Sequence, residues 1–503
     1  MIDLFREIKI LKPWHFQDRV IGDVMEYVNS YKGERLAGIA VAPTGSGKSL
    51  MIAHVVYRMA MPAIILQPSI ELLEQNYEKF TDHGGVATVY SASAKEKNPS
   101  SVMFATPGSV VGKGDLFRKM FKIKALIIDE CHYKVKTEKD KNDPDYLGMV
   151  LKFIEDLQPD IILGFTATPI RLHTSSYGPT LKMLNRTREK LFNDIISVVQ
   201  ISEVYDEYWK KLEYKMYDFD ESKLILNSAK TEFTEESIKM AVNYNHVNNN
   251  ICKEVYHQYF NEGKKSILVF VDRVESGHKM AEWLNSKGIK TVCIDGKTPK
   301  NTRKKQVAQF KALEYAVMIN YGTFTTGFDH KKLDCVMFGR PTNSFSMLYQ
   351  ILGRLVRKDD EVLIGLFIDF CNNIKRLGYI KDITFEKLPG YGWGMFNGDI
   401  LMTGRPLNML PRYTKQYLIA EAMSKAKVPY THMHFGKYKG VDITKVPNSY
   451  FNYCLDTMLF DSALMRKFED KLFEVVDERE ARIAEDENMT EHMKRLIREG
   501  EIV

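Results

Sequence analysis

The sequence predicts an α/β protein in which two parallel-sheet lobes follow each other along the chain, ahead of a small α+β or helical C-terminal region. Short apolar runs alternate with helical patterns through residues 1–172, and the alternation resumes in residues 251–385. Apolar runs of about four to eight residues that end in turn residues are typical of buried parallel strands. We therefore expect lobe 1 at 1–172, a connecting region at 173–250, lobe 2 at 251–385 and the C-terminal region at 386–503.

The apolar runs give the expected strands in order. Those of lobe 1 are LAGIAVA (36–42), PAIILQP (62–68), SVMFATP (101–107), KALIIDE (124–130) and DIILGFTATP (160–169). Those of lobe 2 are SILVFVD (266–272), KTVCID (290–295), YAVMINY (315–321), LDCVMFGRP (333–341) and VLIGLFIDF (362–370). Helical segments such as SLMIAHVVYRMA lie between them, as in a doubly wound sheet. The connecting region is polar, and we expect a helix near residues 183–196.

The composition excludes several classes of protein. Hydrophobic residues make up 44% and charged residues 27% of the chain, as in ordinary globular proteins. No apolar run approaches the ~20 residues that cross a bilayer, and the N-terminal stretch MIDLFREIKI lacks the apolar core of a signal peptide. The six cysteines are scattered without a C-x-x-C pair. We therefore expect a cytoplasmic protein with no membrane partner, no zinc and no disulfide framework.

The charge is unevenly distributed. The net charge is +6, yet residues 461–503 hold 13 acidic and 8 basic side chains. The remaining chain is therefore clearly basic, which is compatible with a polyanionic partner. The acidic tail leaves open a protein partner as well.

The stretch APTGSGKSL (Ala42–Leu50) follows one predicted strand and opens a predicted helix, as a P-loop does. Its two glycines allow backbone N–H groups to curl around a phosphate. We expect Lys48 to reach the β- and γ-phosphates of ATP and the Ser49 hydroxyl to bind Mg²⁺. The residues expected to surround the nucleotide here are Thr44, Gly45, Ser46, Gly47, Lys48 and Ser49.

The stretch LIIDECH ends the fourth predicted strand with two acids, a cysteine and a histidine. Taken alone, Cys131 and His132 could ligate a metal or form a nucleophile and its base. A P-loop, however, needs a carboxylate at the end of a neighbouring strand to hold Mg²⁺. We therefore assign Asp129 to the metal and Glu130 to the attacking water. His132 becomes a candidate for coupling the two lobes, and Cys131 is expected to do no chemistry.

Gln350, Arg354 and Arg357 have the spacing i, i+4, i+7 and share one helical face. We expect this face to project from lobe 2 onto the γ-phosphate. An arginine so placed stabilises transition-state charge and is worth about 10³–10⁵ in rate.

The ordered motifs resemble those of the superfamily 2 helicases. PWHFQ, ending at Gln17, resembles the adenine-reading Q motif, and TAT (Thr166–Thr168) resembles motif III. GTFTTGFD (Gly322–Asp329) resembles motif V, and QILGRLVR (Gln350–Arg357) resembles motif VI. The likeness is strongest to the RadD-like group and then to UvsW-type phage helicases. RadD-like proteins have a cysteine-rich C-terminal region that this chain lacks, so the resemblance covers the motor and not the tail.

The resemblance implies two RecA-like lobes, ATP and Mg²⁺ as cofactors, and a nucleic-acid-stimulated ATPase. It implies that Gly327 and Asp329 also face the nucleotide and that Thr166 and Thr168 couple the lobes. The residues implied to line the nucleic-acid track are Gln67, Pro68, Thr106, Pro107, Asp272, Arg273, Thr323 and Thr325. Such contacts go mostly to phosphates, which give no sequence information.

The C-terminal stretch 433–458, which contains FGKYKG (435–440), resembles a small module found in phage proteins and beside exonuclease domains. The two aromatic residues and two lysines of FGKYKG suit base stacking with phosphate contact. The alternative is a packed hairpin whose core holds Phe435, Val446, Tyr450 and Phe451.

Four hypotheses for function remain. The first is a helicase or translocase on single-stranded, forked or branched DNA, acting in repair, recombination or replication restart of a bacterium or phage-infected cell. The second is the same motor on RNA, since DECH does not distinguish the two. The third is an ATP-gated clamp without hydrolysis, which Glu130 and the two arginines argue against. The fourth, a nuclease with a motor attached, lacks any paired acidic–lysine motif outside the lobes.

Overall fold

A computed structural model describes most of the two lobes and part of the C-terminal region. The described residues are 12–133, 146–175, 178–187, 191–228, 231–321, 330–388, 391–404, 413–419, 437–438, 441–442, 445–447, 450 and 493–494. The chain forms two compact units, Met1–Ile383 and Thr384–Val503. Among the described residues, no helix is long and apolar enough to span a bilayer.

Lobe 1 is built on an eight-stranded sheet with the order β10-β1-β7-β6-β2-β5-β3-β4. The strands of lobe 1 are β1 (Leu36–Val41), β2 (Ala63–Leu66), β3 (Thr88–Ser91), β4 (Glu96–Lys97), β5 (Val102–Ala105), β6 (Ala125–Asp129), β7 (Ile161–Thr166), β8 (Ile170–Ser175), β9 (Gly178–Met183) and β10 (Asp194–Val198). All neighbours in the large sheet are parallel except β3 and β4, and β8 pairs antiparallel with β9 in a separate hairpin.

The helices of lobe 1 follow the strands as parallel pairing requires, because each crossover must return the chain to the same edge of the sheet. They are α1 (His15–Asn29), α2 (Lys48–Met59), α3 (Ile70–Asp82), α4 (Pro107–Val110), α5 (Gly114–Phe121), α6 (Tyr146–Leu157) and α7 (Ser202–Tyr205). The central strands are buried along nearly their whole length, which explains their continuous apolar runs.

Lobe 2 has a fully parallel six-stranded sheet with the order β11-β16-β15-β12-β14-β13. Its strands are β11 (Lys211–Met216), β12 (Ile267–Phe270), β13 (Thr291–Ile294), β14 (Val317–Asn320), β15 (Cys335–Phe338) and β16 (Ile364–Asp369). Its helices are α8 (Glu235–Tyr244), α9 (Val247–Phe260), α10 (Val274–Ser286), α11 (Lys300–Lys311), α12 (Phe345–Leu355) and α13 (Asn373–Leu377). The predicted strands and the two parallel-sheet lobes are thereby confirmed.

The range 173–250, expected to connect the lobes, contributes strands to both sheets. β10 pairs with β1, where Ile39 faces Ile195, and β11 pairs with β16, where Tyr214 faces Phe367. Both are edge strands with exposed positions, so neither has the continuous apolar run of a central strand. The helix expected near 183–196 is wrong, since Leu184–Arg186 forms a short 3₁₀ turn and β10 begins at Asp194.

The second unit contains a three-stranded sheet of β17 (Ile383–Leu388), β18 (Gly392–Asn397) and β19 (Ile400–Leu401). Of the FGKYKG stretch the structure describes Lys437 and Tyr438. The ring of Tyr438 lies 4.7 Å from that of Tyr450, whose hydroxyl accepts a hydrogen bond from the Lys437 N–H at 2.9 Å. Val446 is fully buried, while Phe435 and Phe451 lie outside the described residues.

Candidate active site between the two lobes

The sheet topology of lobe 1 brings three predicted motifs to one edge. β1, β7 and β6 are consecutive parallel neighbours, so their carboxyl ends lie side by side. The P-loop follows β1, Thr166 ends β7 and Asp129 ends β6. Residues that are far apart in sequence therefore meet because of strand order alone.

The P-loop has the backbone that its two glycines permit. Gly45 and Gly47 have φ values of 82° and 81°, a left-handed region that other residues adopt at a cost. The loop is closed by Ser46, whose hydroxyl donates to the Pro43 carbonyl at 2.7 Å. Lys48 opens α2, so its side chain and the first N–H groups of the helix stand at the positive end of the helix dipole.

Gln17 of α1 supports the P-loop from the side. Its amide nitrogen donates to the Ser46 carbonyl at 2.6 Å, and its amide oxygen accepts from the Trp14 N–H at 2.8 Å. A Cβ at Gly47 would lie 2.4 Å from the Gln17 amide nitrogen, which leaves room for glycine alone. The ring of Trp14 in turn lies 4.4 Å from that of Tyr208, which precedes lobe 2.

The two acids of LIIDECH are held in distinct ways. The carboxylate of Asp129 accepts hydrogen bonds from the Asn76 amide and from the Glu130 N–H, each at 2.9 Å. Glu130 has a φ of 47° and lies 3.5 Å from the ammonium of Lys48. Both side chains are thus fixed beside the P-loop lysine.

Burial and charge act differently on these two carboxyl groups. Burial and the neighbouring Glu130 raise the pKa of Asp129 to about 7. Burial opposes ionisation of Glu130 as well, but Lys48, His132 and Arg354 together hold the pKa of Glu130 below its usual value. A divalent cation beside Asp129 would offset the burial and favour its ionised form.

The donor set fits a magnesium ion that is shared with a polyphosphate. Mg²⁺ prefers oxygen ligands and commonly takes one or two from protein, with phosphate oxygens and waters completing its shell. The Asp129 carboxylate and the Ser49 hydroxyl are such oxygens. In the described part of the chain, no cluster of three or more His, Cys, Asp or Glu side chains could hold a metal alone. The arrangement therefore suits a metal that arrives with its nucleotide.

His132 connects the two lobes. Its Nδ1 lies 2.7 Å from the Thr166 hydroxyl and 3.4 Å from the Glu130 carboxylate, and its Nε2 lies 3.0 Å from the amide nitrogen of Gln350 in α12. Since an amide nitrogen can only donate, Nε2 accepts and Nδ1 bears the proton. Burial lowers the pKa of His132 to about 4, so the ring is neutral near pH 7.

A second contact between the lobes joins motif III to α12. Thr168 accepts a hydrogen bond from the Ser346 hydroxyl at 3.4 Å, and its own N–H donates to the Thr166 hydroxyl at 3.0 Å. Thr166 is therefore shared by both contacts. The predicted coupling residues form one connected set of hydrogen bonds.

The helix α12 packs directly on the P-loop. A Cβ at Gly353 would lie 2.5 Å from the Thr44 methyl group, so glycine permits this approach. Arg354 follows and is buried, and its charge helps to lower the pKa of Glu130. The cleft between the lobes has a volume of about 330 Å³. Its lining includes Lys48, Ser49, Asp129, Glu130, Arg354 and Arg357.

The residues expected on the lobe 1 nucleic-acid track lie after β2 and β5. The Thr106 hydroxyl is within hydrogen-bond distance of the Ser109 hydroxyl at 3.0 Å, and Pro107 begins α4. Pro68 is half-buried, but Gln67 is fully buried. The Gln67 side chain is enclosed in this structure because β2, which it follows, is a central strand covered on both faces, and its contact with nucleic acid stays a prediction.

The lobe 2 residues expected on the nucleic-acid track are described only in part, and their contacts with nucleic acid stay predictions. Asp272 is buried and its carboxylate pairs with Arg273. Arg273 is partly exposed and donates to the Asn243 side chain at 3.0 Å. The expected residues Thr323, Thr325, Gly327 and Asp329 lie outside the described residues.

Several site residues were not predicted from the sequence. Asn76 orients Asp129, Tyr208 faces Trp14, and Arg171 donates to the Cys131 carbonyl at 3.4 Å. Each acts through a long-range contact that no local pattern announces. Cys131 itself is buried, which raises the pKa of its thiol well above the usual value and removes it as a nucleophile.

Two parallel-sheet lobes that face each other across a P-loop, an acid pair and an arginine-bearing helix define a two-lobed RecA-like nucleotide-binding protein. Known families match both lobes. The family described as type III restriction enzyme, res subunit, matches residues 10–171, and the helicase conserved C-terminal domain matches residues 247–359. The chain belongs to the superfamily 2 helicases.

Curated relatives agree with this membership. The chain is 26% identical over 391 residues to a Saccharomyces cerevisiae protein named as the ATP-dependent helicase IRC3, covering 70% of this chain and 52% of the relative. It is 25% identical over 358 residues to the DNA 3'-5' translocase XPB2 of Sulfurisphaera tokodaii, covering 64% of this chain and 75% of that protein. The chain thus spans about half the length of the yeast relative.

A solved structure shares the fold. It is a fragment of an HsdR subunit of a type I restriction enzyme from Vibrio vulnificus, with a TM-score of 0.52 and 17% identity over 74% of this chain and 67% of that chain.

Proposed function

We propose that the chain is an ATP-hydrolysing helicase or translocase that moves along DNA. The observation that supports the proposal is the meeting of Lys48, Glu130 and Arg354 around one cleft between two lobes. A nucleotide held there touches both lobes, so its hydrolysis can change how the lobes sit against each other.

Each group in the cleft has a role that its position suggests. The P-loop N–H groups and Lys48 bind the phosphates of ATP. Asp129 and Ser49 hold Mg²⁺, which supplies charge neutralisation on the phosphates. Glu130, kept ionised by the charges around it, orients and polarises the attacking water.

Arg354 and Arg357 complete the site from lobe 2. Both line the cleft opposite the P-loop, where a guanidinium can stabilise the charge that develops on the γ-phosphoryl group. Such an arginine is worth about 10³–10⁵ in rate. Because the arginines belong to lobe 2, hydrolysis depends on closure of the two lobes.

The contacts through His132 and Thr168 suggest how closure is transmitted. His132 connects the acid pair to Gln350 of α12, and Thr168 connects motif III to Ser346 of α12. A change at the γ-phosphate reaches Glu130, then His132, and then Gln350 in lobe 2. Alternating grip of the lobes on phosphates of a strand converts this change into movement.

The preference for DNA rests on likeness to other proteins. The relative XPB2 is named as a DNA 3'-5' translocase, and the motif sequences resemble RadD-like and UvsW-type proteins. We propose a substrate of single-stranded, forked or branched DNA, and a role in repair, recombination or replication restart. RNA is the competing substrate and forms one arm of the test.

The test is an ATPase assay with single-stranded DNA, duplex DNA, forked DNA and RNA. We expect DNA to stimulate hydrolysis more than RNA does, and Glu130→Gln to lower kcat by about 10²–10⁴-fold while nucleotide binding persists. The matched control is Glu262→Gln, an exposed glutamate paired with His257 at 3.3 Å, which should behave as wild type. Absence of stimulation by any nucleic acid, or full activity of Glu130→Gln, overturns the proposal.

A further inference from the structure

Trp209 is buried beside the P-loop, yet no motif includes it. Its side chain is 2% exposed. The indole nitrogen lies 3.5 Å from the point that a Cβ on Gly45 would occupy. Among the residues that the structure describes, this indole N–H has no acceptor. A buried donor without an acceptor is unfavourable. We therefore expect that a second conformation of the residues around Trp209 provides an acceptor for its indole N–H.

The chain just after Trp209 is anchored in lobe 2. The Lys210 N–H donates to the Val356 carbonyl at 2.7 Å, and its ammonium donates to the Leu333 carbonyl at 2.7 Å. Trp209 itself forms an isolated antiparallel bridge with Arg357. β11 begins at Lys211 and pairs with β16. Any movement of lobe 2 therefore moves the backbone of Lys210.

The chain just before Trp209 is anchored in lobe 1. Tyr208 packs against Trp14 and Phe16, with ring centroids 4.4 and 5.1 Å away. The N–H groups of Tyr208 and Trp209 both donate to the carbonyl of Val204 in α7, each at 3.0 Å. The backbone thus changes from one lobe to the other within Tyr208–Lys210, and Trp209 lies at the change.

The third neighbour of Trp209 is the active site itself. Gly45, next to its indole, is part of the P-loop, and Arg357, next to its backbone, lines the same cleft. The indole of Trp209 therefore lies beside the phosphate loop of lobe 1, while its backbone pairs with Arg357 of lobe 2.

We propose that Trp209 is a positioning residue that links the P-loop to lobe 2, and that its indole N–H donates to a P-loop carbonyl when the lobes close on nucleotide. The proposal rests on the ATPase proposed above. It adds a specific residue, outside the helicase motifs, that senses the state of the phosphate loop. Closure of the lobes then changes contacts at Tyr208–Lys210 as well as across the cleft.

The spectroscopic test uses the full chain labelled with 5-fluorotryptophan. The chain has four tryptophans, and Trp209→Phe and Trp283→Phe assign two of the four ¹⁹F resonances. Trp283 is 38% exposed on α10 and serves as the control. We expect the Trp209 resonance to shift between Mg·ADP and Mg·ADP·beryllium fluoride while that of Trp283 stays in place. A Trp209 resonance that is identical in both complexes overturns the proposal.

The kinetic test separates a hydrogen bond from mere packing. Trp209→Phe keeps an aromatic ring but removes the donor. We expect the KM for ATP to stay near the wild-type value and the nucleic-acid-stimulated kcat to fall about tenfold, a typical coupling between sites. Trp209→Ala removes the ring as well and reports the cost of packing. If Trp209→Phe is stimulated as strongly as wild type, the donor has no role and the proposal fails.

The two proposals fail in different ways. If no nucleic acid stimulates ATP hydrolysis by the wild type, the motor function fails, while nucleotide-dependent shifts of the Trp209 resonance still support its link to the P-loop. If wild type is stimulated normally and Trp209→Phe is too, the motor stands and the role of Trp209 is refuted.

Discussion

The side-chain amide of Gln350 donates to Nε2 of His132 across 3.0 Å, and the bond crosses from lobe 2 to lobe 1. His132 also contacts Thr166 and Glu130. One residue of α12 therefore reaches both the acid pair and motif III through a single imidazole. This relationship gives the first of four predictions.

Replacing Gln350 with alanine should uncouple hydrolysis from nucleic acid. His132 would lose its partner at Nε2 in a buried position, at a cost of about 1–3 kcal/mol. We expect the stimulated kcat to fall about tenfold with little change in ATP affinity. The measurement is steady-state ATPase with and without DNA. Gln309→Ala is the control, since Gln309 lies half-buried on α11 and its amide bonds only to Glu314 among the contacts described here. Equal loss in the two variants would refute a specific role for Gln350.

Replacing Gly353 with alanine should separate α12 from the P-loop. The new methyl group would lie 2.5–2.6 Å from Thr44 atoms, so one element must shift. Overpacking of this kind costs about 1–3 kcal/mol, and we expect a lower unfolding temperature and a loss of ATPase activity. Gly22→Ala in α1 is the control because no atom lies within 4 Å of its Cβ position. The free energy of unfolding of Gly22→Ala should rise by about 0.4–1 kcal/mol. If Gly353→Ala is as stable and as active as Gly22→Ala, the packing of α12 on the P-loop is contradicted.

Replacing Asn76 with alanine should raise the Mg²⁺ requirement. Asn76 donates to the Asp129 carboxylate at 2.9 Å, and partners of this kind typically contribute 10–100-fold to metal affinity, so we expect a shift of about that size. The measurement is ATPase rate against Mg²⁺ concentration, with activity restored at high Mg²⁺ and abolished by chelation. Asn250→Ala in α9 is the control. An unchanged Mg²⁺ midpoint would show that Asn76 does not position Asp129 for metal.

The stability contributed by His132 should depend on pH. Its pKa is about 4 in the folded protein against 6.5 in the reference state, so the unfolded chain binds more protons between these values. Stability therefore falls as the pH falls from 6.5 towards 4, by at most about 1.4 kcal/mol per pH unit. His132→Gln lacks this dependence. The difference in unfolding temperature between wild type and the variant should narrow over that range, and a constant difference would contradict the prediction.

The sequence predicted the central strands because burial on both faces produces an unbroken apolar run. β6 and β7 are examples, since the predicted ranges 124–130 and 160–169 agree with the observed strand ends to within three residues. The edge strands β10 and β11 were not predicted, since exposed positions interrupt their apolar pattern. Parallel pairing of β1, β7 and β6 then brings the motifs together, a result that spacing along the chain does not specify.

The candidate site divides in the same way. Lys48, Asp129 and Glu130 lie in short stretches whose residue types predict phosphate binding and metal binding. Asn76 lies 53 residues before Asp129 in the sequence. Trp209 and Gly45 are separated by most of lobe 1. Only the tertiary structure brings the members of each pair together. The burial of Gln67 is a further feature that the sequence did not indicate, because a polar residue after a strand need not face solvent.

Glu130 has a left-handed backbone, with a φ of 47°, although it has a Cβ. Residues held in such conformations cost about 1–3 kcal/mol, and the surrounding structure must impose them. Glu130→Gly would relieve that strain while removing the carboxylate that faces Lys48 and His132. Selection for a higher unfolding temperature would therefore favour substitutions at Glu130, a residue that the proposed reaction requires. Activity and thermal stability are thus in conflict at this position.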